Sequence, residues 1–172
     1  ILEAIDLNAC VNLHTIQEMA FHNCNKLSAI VLPNNVTTIG DNVFKNCTEL
    51  IKISLPNSIT TIGVSAFESC SSLLNIILSN KLTDLGESLF KDSGLQSLTI
   101  PDSITTIGNN VFKNCSELTS IQLSDSMTTI GSNAFENCSK LDTIAIPDSV
   151  ESIESNAFFG SGLTEVYMSE IA

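Results

Sequence analysis

The sequence predicts a strongly β-rich α/β solenoid, in which short coils stack along one axis. Each period carries a Leu-x-x-Ile-x-Leu segment, and most then carry one like Ile-Thr-Thr-Ile-Gly. Units this short bury their apolar faces only against neighbouring units, so a fixed period indicates stacked repeats. We therefore expect residues 1–172 to form a single domain of about seven coils that belongs to a longer array. Phenylalanines mark the period at intervals of 22 or 23 residues: Phe21, Phe44, Phe67, Phe90, Phe112, Phe135 and Phe158.

The Leu-x-x-Ile-x-Leu segment predicts one short strand in each coil. Its Ile and its second Leu, such as Ile121 and Leu123, lie two residues apart and should both point inward, since side chains alternate along a strand. A proline such as Pro101 then ends the strand, because it lacks the N–H that a parallel ladder needs. Together these strands predict a parallel sheet. The segment begins at Leu2, Leu27, Leu50, Leu73, Leu95, Leu118, Leu141 and Leu163.

The second segment, for example Ile104 to Gly108, predicts another short extended piece that ends at a bend. A glycine there can adopt backbone angles that other residues avoid. The Asn-x-Val/Ala-Phe stretch that follows is too short for a stable helix, so we expect one helical or 3-10 turn with phenylalanine filling the corner. Two coils are one residue shorter, at Ser93 to Leu95 and Ser161 to Leu163, where glycine should permit a tighter turn.

The charge balance disfavours two classes of partner. The chain has 19 Asp and Glu, 7 Lys and no Arg, for a formal net charge of -12. Nucleic acid and anionic membrane surfaces attract basic protein, so we expect neither as a partner. No apolar run reaches the roughly 18 residues of a membrane span, so we expect no direct membrane insertion. An acidic surface either keeps the protein soluble or steers a basic ligand.

The cysteines predict buried free thiols rather than disulfides or a metal site. Equivalent residues on neighbouring coils point the same way, and a straight column does not offer zinc a tetrahedral set of ligands. Cys10 lies off the repeat and is the one candidate for an exposed, reactive thiol. His14 and His22 are isolated, so we expect no metal, no cofactor and no catalytic triad. The cysteines on the repeat are Cys24, Cys47, Cys70, Cys115 and Cys138.

Two polar columns are better explained by structure than by ligand binding. Asp102, Asp125 and Asp148 recur at one turn position, and turn formation explains them better than calcium, because each turn offers only one ligand. Asparagines that precede the cysteines predict a ladder in which their side chains hydrogen-bond backbone groups of their own coil or the next coil. If that ladder forms, Asn35 is the one reasonable glycosylation acceptor. The asparagines of the ladder are Asn23, Asn46, Asn114 and Asn137.

The stretch from Leu118 to Cys138 resembles the 23-residue leucine-rich repeat of the BspA-like class, and the resemblance extends from about Leu2 to Met168. Leu85 in the Ile column and Gln17 and Glu154 in the Gly column depart from the pattern. The resemblance implies a leucine-rich repeat with a parallel sheet on its concave face. It implies short extended segments with single helical or 3-10 turns on the convex side. It also implies surface proteins of bacteria or parasitic protists that adhere to host proteins or cells.

In such repeats the strand positions that point away from the core line the concave face, where ligands usually bind. These positions are small and polar in the middle coils but include apolar residues in earlier coils. An apolar patch there suits a protein ligand. Alternatively, Ile51 and Leu74 only extend the core, and Tyr167 only covers the last coil. The candidate partner-binding residues are Val31, Ile51, Lys52, Leu74, Asn75, Ile77 and Tyr167.

These observations favour a protein-recognition module over an enzyme. The leading hypothesis is a cell-surface or secreted module that binds a host or neighbouring-cell protein in adhesion. The alternative is an intracellular scaffold or regulator that binds a protein partner, for which free thiols are equally suitable, so a cytoplasmic location stays open. No nucleophile, base and orienting group recur outside the repeat pattern, so we expect no enzyme. We also expect that this fragment can self-associate end to end, because its terminal coils lack obvious caps.

Overall fold

The computed structural model describes residues 3–169, which form a stack of coils built from short parallel strands. Leu2, where the first strand is expected to begin, lies outside the described residues. The odd-numbered strands form the front sheet: β1 (Ala4–Asp6), β3 (Ala29–Val31), β5 (Lys52–Ser54), β7 (Ser97–Thr99), β9 (Ser120–Gln122), β11 (Thr143–Pro147) and β13 (Glu165–Ser169). The even-numbered strands form the back sheet: β2 (Thr15–Ile16), β4 (Thr38–Ile39), β6 (Thr61–Ile62), β8 (Thr106–Ile107), β10 (Thr129–Ile130) and β12 (Ser152–Ile153).

Neighbouring strands are one repeat apart in the chain, so that Ile5 pairs with Ile30 and Ile30 with Ile53. This confirms the parallel sheet that the repeats predict. The front sheet, however, runs in three sections, β1-β3-β5, β7-β9 and β11-β13, and the back sheet in two, β2-β4-β6 and β8-β10-β12. The expectation of one front strand per coil is wrong for the coil that begins at Leu73, because residues 73–78 form no strand.

The core is a column of stacked phenylalanines flanked by aliphatic side chains. Successive rings lie 5.2 to 5.7 Å apart between centroids, with interplanar angles of 3° to 14°. The five inner rings, from Phe44 to Phe135, are fully buried. Most inward Ile and Leu positions of the front segments, such as Ile30 and Ile121, are at most 8% exposed, whereas Leu55 and the first-coil residues Ile5 and Leu7 are partly buried. The inward columns and the phenylalanine corner are therefore as predicted.

The turn around each phenylalanine is not helical, so the predicted helical or 3-10 turn is wrong; the structure assigns no helix within residues 3–169. In the coil of Phe44, for example, Asn42 and Asn46 have φ angles of 55° and 62°, in the left-handed region that interrupts a right-handed helix. The N–H groups of Asn42, Phe44 and Asn46 donate to carbonyls of the next coil at 2.9 Å. Groups that bond between coils are not free to bond four residues back within a helix.

We call these inter-coil bonds the turn ladder. Three backbone hydrogen bonds of this kind join the coils at each of the six junctions between successive phenylalanine turns. Both sheets have interruptions, whereas the turn ladder has none among the described residues. The turns are therefore the one continuously bonded side of the stack.

The glycine columns reflect close packing rather than unusual backbone angles. Gly160 is the one described glycine with a positive φ, so the expectation that the repeat glycines adopt angles closed to other residues is wrong. A Cβ atom on Gly63 would lie 2.6 Å from the backbone nitrogen of Asp41 in the preceding coil. At Gly94, in the shortened turn, it would lie 2.1 Å from the carbonyl oxygen of Ser71. Glycine is needed there because any side chain would collide with the neighbouring backbone.

Candidate functional site

An apolar patch lies on the outer surface of the front sheet in its first coils. Val31, Ile51, Leu74 and Ile77 are 37%, 59%, 39% and 84% exposed, and we call these four residues the front apolar patch. Ile51 and Leu74 are thus partly exposed and are not among the fully buried core residues. In the coils that follow, the same face carries exposed Gln, Ser and Thr side chains.

The front sheet opens next to this patch, between the coil of residues 50–72 and the coil of residues 73–94. In closed sections the N–H of the residue after the first Leu donates to the preceding coil, as from Ile51 to the Ser28 carbonyl at 2.9 Å. Leu74 occupies the same position, and within residues 3–169 its N–H donates to no backbone carbonyl. We call the unpaired boundary between β5 and residues 73–78 the front gap.

Residues 73–94 depart from the repeat beside the gap. In three other coils a serine hydroxyl bonds the turn after the front strand to the preceding coil, as from Ser58 to the Val36 carbonyl at 2.5 Å. Lys81 stands at that position and has no hydroxyl to donate. In the back sheet, the N–H of Gly63 donates to Ile39 at 2.9 Å, whereas Gly86 makes no equivalent bond among the described residues. Besides the turn ladder, the two coils are joined by the bond from the Ser79 hydroxyl to the Asn57 carbonyl at 3.1 Å and by the bond from the Gly94 N–H to the Cys70 carbonyl at 3.2 Å.

The opening creates a groove of about 460 Å³ lined by residues 51–55 and 74–77. Five of the seven candidate residues line it, which brings together Ile51, Lys52, Leu74, Asn75 and Ile77. A second groove of about 460 Å³ lies on the other side of Ile77, against β7 and β9. There the hydroxyl of Ser97 donates to Asn75 Oδ1 at 2.9 Å, so a side-chain bond bridges the second groove.

The structure leaves two candidates outside the groove. Val31 lies on β3, one coil before Ile51. Tyr167 lies on β13 at the far end of the front sheet, where it is 52% exposed. Its hydroxyl donates to the Glu165 carboxylate, and this bond raises the pKa of Tyr167. Tyr167 therefore does not form one site with the front apolar patch.

Lys52 differs from most lysines of the chain in having no carboxylate partner. Five of the seven lysines pair with Asp or Glu, for example Lys26 with Glu49 and Lys113 with Glu136. Among residues 3–169, Lys52 and Lys81 form no such pair. A cation without a partner therefore lies in the groove beside Ile51. The sequence places Lys52 on this face, but its lack of a partner depends on contacts between coils.

Four of the five repeat cysteines are buried free thiols, as predicted, whereas Cys24 is a free thiol that is only partly buried. Cys47, Cys70, Cys115 and Cys138 are buried free thiols, and each Sγ donates to a phenylalanine carbonyl at 3.0 to 3.2 Å. Burial raises the pKa of Cys47 to about 12 and that of Cys115 to about 11, so neither forms a thiolate at neutral pH. Cys10 is exposed, which agrees with its position off the repeat.

The predicted asparagine ladder forms, but it bonds side chain to side chain. Nδ2 of Asn46 donates to Asn23 Oδ1 at 2.8 Å, and Nδ2 of Asn137 donates to Asn114 Oδ1 at 2.9 Å. These four residues also have φ angles near 60°, a conformation that asparagine tolerates better than most residues. The recurrence of asparagine at these positions therefore has two explanations, the left-handed backbone conformation and the side-chain ladder.

The other polar candidates lie apart. His14 Nδ1 lies 3.0 Å from the Asn35 carbonyl oxygen, while the Asn35 side-chain amide donates to the Val11 carbonyl. Within residues 3–169 no three His, Cys, Asp or Glu side chains lie close enough to hold a metal ion. That part of the chain also has no helix of the length and apolarity needed to cross a membrane.

Comparisons with known proteins agree with this architecture. The chain matches the BspA type leucine-rich repeat region in six copies, over residues 2–119 and 105–171. A leucine-rich repeat protein from Bacteroides ovatus has a similar structure, with 34% identity and a TM-score of 0.83 over 86% of this chain and 38% of its own. The T. pallidum leucine-rich repeat protein is 28% identical, with a TM-score of 0.79 over 89% of this chain and 71% of its own.

A leucine-rich cell surface protein from Faecalibacterium prausnitzii is 27% identical, with a TM-score of 0.77 over 95% of this chain and 47% of its own. This chain therefore spans less than half the length of two of these three proteins. No curated protein matches the chain.

Proposed function

Because the chain belongs to the BspA-type leucine-rich repeat family, we propose that it is a recognition module that binds a protein ligand through the front sheet. Repeats of this family in general mediate protein interaction and are not catalytic. The observation that supports a binding surface here is the front apolar patch, whose Ile77 is 84% exposed. Contiguous exposed apolar groups on a soluble protein are characteristic of interaction sites.

We propose that the ligand is a host or neighbouring-cell protein and that the module acts in adhesion at the cell surface or after secretion. The similarity to the F. prausnitzii cell surface protein supports this location. The alternative is an intracellular scaffold or regulator with a protein partner. The reduced cysteine column is compatible with that alternative, since thiols remain reduced in the cytosol.

The binding proposal is tested with beads coated with the chain and added to cultured cells. We expect wild-type beads to adhere, and mild protease treatment of the cells to abolish adhesion, because the ligand is a protein. Ile77→Asp should reduce adhesion about tenfold or more, since it places a charge in an apolar contact. Ala145→Asp is the matched control, because Ala145 is exposed at the same front position three coils later.

Both variants should keep the far-ultraviolet circular dichroism spectrum and the melting temperature of the wild type, because both residues are exposed. A large drop in melting temperature for Ile77→Asp would show that Ile77 supports the fold instead. Equal adhesion by wild type and Ile77→Asp would contradict the front apolar patch as the binding surface.

The location is tested by antibody labelling of cells that express the whole gene. Labelling of intact cells supports adhesion at the surface, and antigen in the medium supports secretion. Antigen that appears only after the cells are permeabilised supports the intracellular alternative. An unrelated cytosolic protein, labelled in parallel, controls for leaky cells.

A further inference from the structure

The front gap leaves backbone groups without partners at an internal edge of the front sheet. If residues 74–78 continued the register of the β3–β5 pair, the N–H groups of Asn75 and Ile77 would donate to the carbonyls of Ile51 and Ile53. Neither bond forms, and among the described residues no N–H of residues 74–78 donates to a backbone carbonyl. Unpaired edge groups are best satisfied by another extended backbone, because it offers donors and acceptors at the same spacing.

The side chains around these groups define what such a backbone would carry. Ile51, Leu74 and Ile77 are exposed beside the gap and offer apolar contacts to alternate side chains of an extended segment. Lys52 lies in the same groove and forms no ion pair with a carboxylate of the described residues. An acidic side chain is the complementary partner for such a lysine.

The groove at the gap fits this ligand better than the neighbouring groove does. Its volume of about 460 Å³ equals that of the second groove and suits a few residues of an extended chain. The bond from Ser97 to Asn75 bridges the second groove, whereas the bond across the gap, from the Ser79 hydroxyl to the Asn57 carbonyl, lies outside the residues that line the first groove. A second copy of this chain is disfavoured as the occupant, because a net charge of -12 on each copy opposes their approach.

We propose that the front gap binds an extended segment of a partner protein by strand addition, with apolar side chains against Ile51, Leu74 and Ile77 and an acidic side chain at Lys52. This inference rests on the proposed recognition function and specifies the form of the ligand. Strand addition supplies affinity through main-chain hydrogen bonds, and the apolar and ionic contacts select the sequence.

The probe is a library of short random linear peptides displayed on phage, selected on the whole chain and counter-selected on the Ile77→Asp variant. We expect the enriched peptides to alternate apolar residues and to include an Asp or Glu. Dissociation constants of the synthetic peptides are measured by fluorescence anisotropy. Lys52→Glu should weaken binding about tenfold and shift the preference toward peptides with Lys or Arg. Ala145→Asp should leave binding unchanged.

Backbone methylation of the peptide separates strand addition from ordinary apolar contact. In a strand, the N–H groups of alternate residues face the same edge, so N-methylation at one set should weaken binding about tenfold and at the other set only slightly. In hydrogen exchange, the amides of Asn75 and Ile77 should exchange rapidly in the free chain and slowly with peptide bound.

Four outcomes would overturn the inference. No peptide is enriched, or peptide binding is unchanged by N-methylation. Alternatively, bound peptide slows hydrogen exchange at amides other than those of Asn75 and Ile77, or the enriched peptides lack acidic residues and bind the Lys52→Glu variant as tightly as the wild type. Binding that survives methylation would identify an apolar pocket for side chains or small molecules. If bead adhesion persists while the peptide experiments fail, the recognition function stands and only strand addition is wrong. If adhesion is absent as well, both proposals fail.

Discussion

Glu68 is a buried carboxylate held between lysines of two neighbouring coils. Lys45 Nζ lies 2.9 Å from Glu68 Oε2, and Lys91 Nζ lies 3.3 Å from Glu68 Oε1. Burial acts to raise the pKa of Glu68, but hydrogen bonds from Lys45, Ser65 and Lys91 outweigh it, so the pKa lies below its usual value. The triad joins three successive turns through side chains, alongside the turn ladder.

Glu68→Gln should lower the free energy of unfolding by about 1–2 kcal/mol at neutral pH, because it removes the charge from two ion pairs and keeps the shape. A carboxylate with a depressed pKa stabilises the fold above its unfolded pKa of about 4.3, and the contribution is lost as the pH falls through the lower folded pKa. Urea denaturation of both proteins at a series of pH values measures the difference, which should shrink below about pH 4.

Glu49→Gln is the matched control, because the Glu49 pair with Lys26 is about half exposed. An exposed pair contributes little, so this change should cost less than about 0.5 kcal/mol. Equal costs for the two substitutions, or a difference that persists at low pH, would contradict the stabilising triad at Glu68.

At the scale of the element, the shortened turn at Gly94 shows how closely neighbouring coils approach. Its Cβ position lies 2.1 Å from the carbonyl oxygen of Ser71, an atom of rigid backbone. Gly108 is less crowded, since its Cβ position lies 3.2 Å from the carbonyl oxygen of Leu85 and its next contact is a side chain at 3.7 Å. The two glycines therefore differ in how much room a methyl group would find.

Gly94→Ala should destabilise the chain by about 2–3 kcal/mol, because the methyl group must push two coils apart. Gly108→Ala should stay within about 1 kcal/mol of the wild type, since the smaller clash is offset by a less flexible unfolded chain. Chemical denaturation of both variants measures these differences. If Gly94→Ala proved as stable as Gly108→Ala, the close approach at Ser71 would not constrain the turn.

The elements that depend on local pattern are those that the sequence predicts well. Alternation places Ile30 and Ile121 inside the sheet, and the spacing of phenylalanines predicts their stacking. The sequence does not predict the turn conformation, because the N–H groups of the turn bond to residues a full repeat away. Local residue preferences carry no information about such distant bonds. The sequence does not predict the front gap, because no residue marks it: Ser79 still bonds to the preceding coil, and the coil of Ser149 keeps its serine bond although the front sheet is open there too.

For the candidate site, the sequence predicts which residues are exposed but not how they are grouped. Outward-facing positions at Ile51, Leu74 and Ile77 follow from alternation. Their assembly into one groove with an unpaired Lys52 depends on where the sheet opens, and Tyr167 is separated from them by the length of the stack.

At the scale of the whole molecule, the two ends of the described stack expose apolar surface. Val11 in the first coil is 61% exposed, and Ile153 and Phe159 in the last complete coil are 50% and 65% exposed. Because each coil stacks on the next in the same way, we expect one end of a copy to stack on the opposite end of another. Head-to-tail contact of this kind does not close on itself.

A net charge of -12 on each copy opposes association at low salt, so we expect the 172-residue chain to self-associate only at high concentration and high salt, where this repulsion is screened. Sedimentation velocity measures this as an increase in mean sedimentation coefficient. Phe159→Ser should reduce the increase, because it removes apolar surface from one end. Val64→Ser is the control, since Val64 is an exposed apolar residue of a middle coil. A chain that stays monomeric throughout, or two variants that respond alike, would contradict association through the ends.

The turn ladder also has a mechanical consequence. The stack is hydrogen-bonded without interruption along its turns but only in sections along its sheets. We therefore expect it to bend by separating neighbouring coils at the sheet interruptions, while the distances between the turns stay constant. At the front gap the back sheet is interrupted as well, since among the described residues the N–H of Gly86 makes no bond to the preceding coil. The curvature of the stack should therefore change first at this junction when a ligand binds.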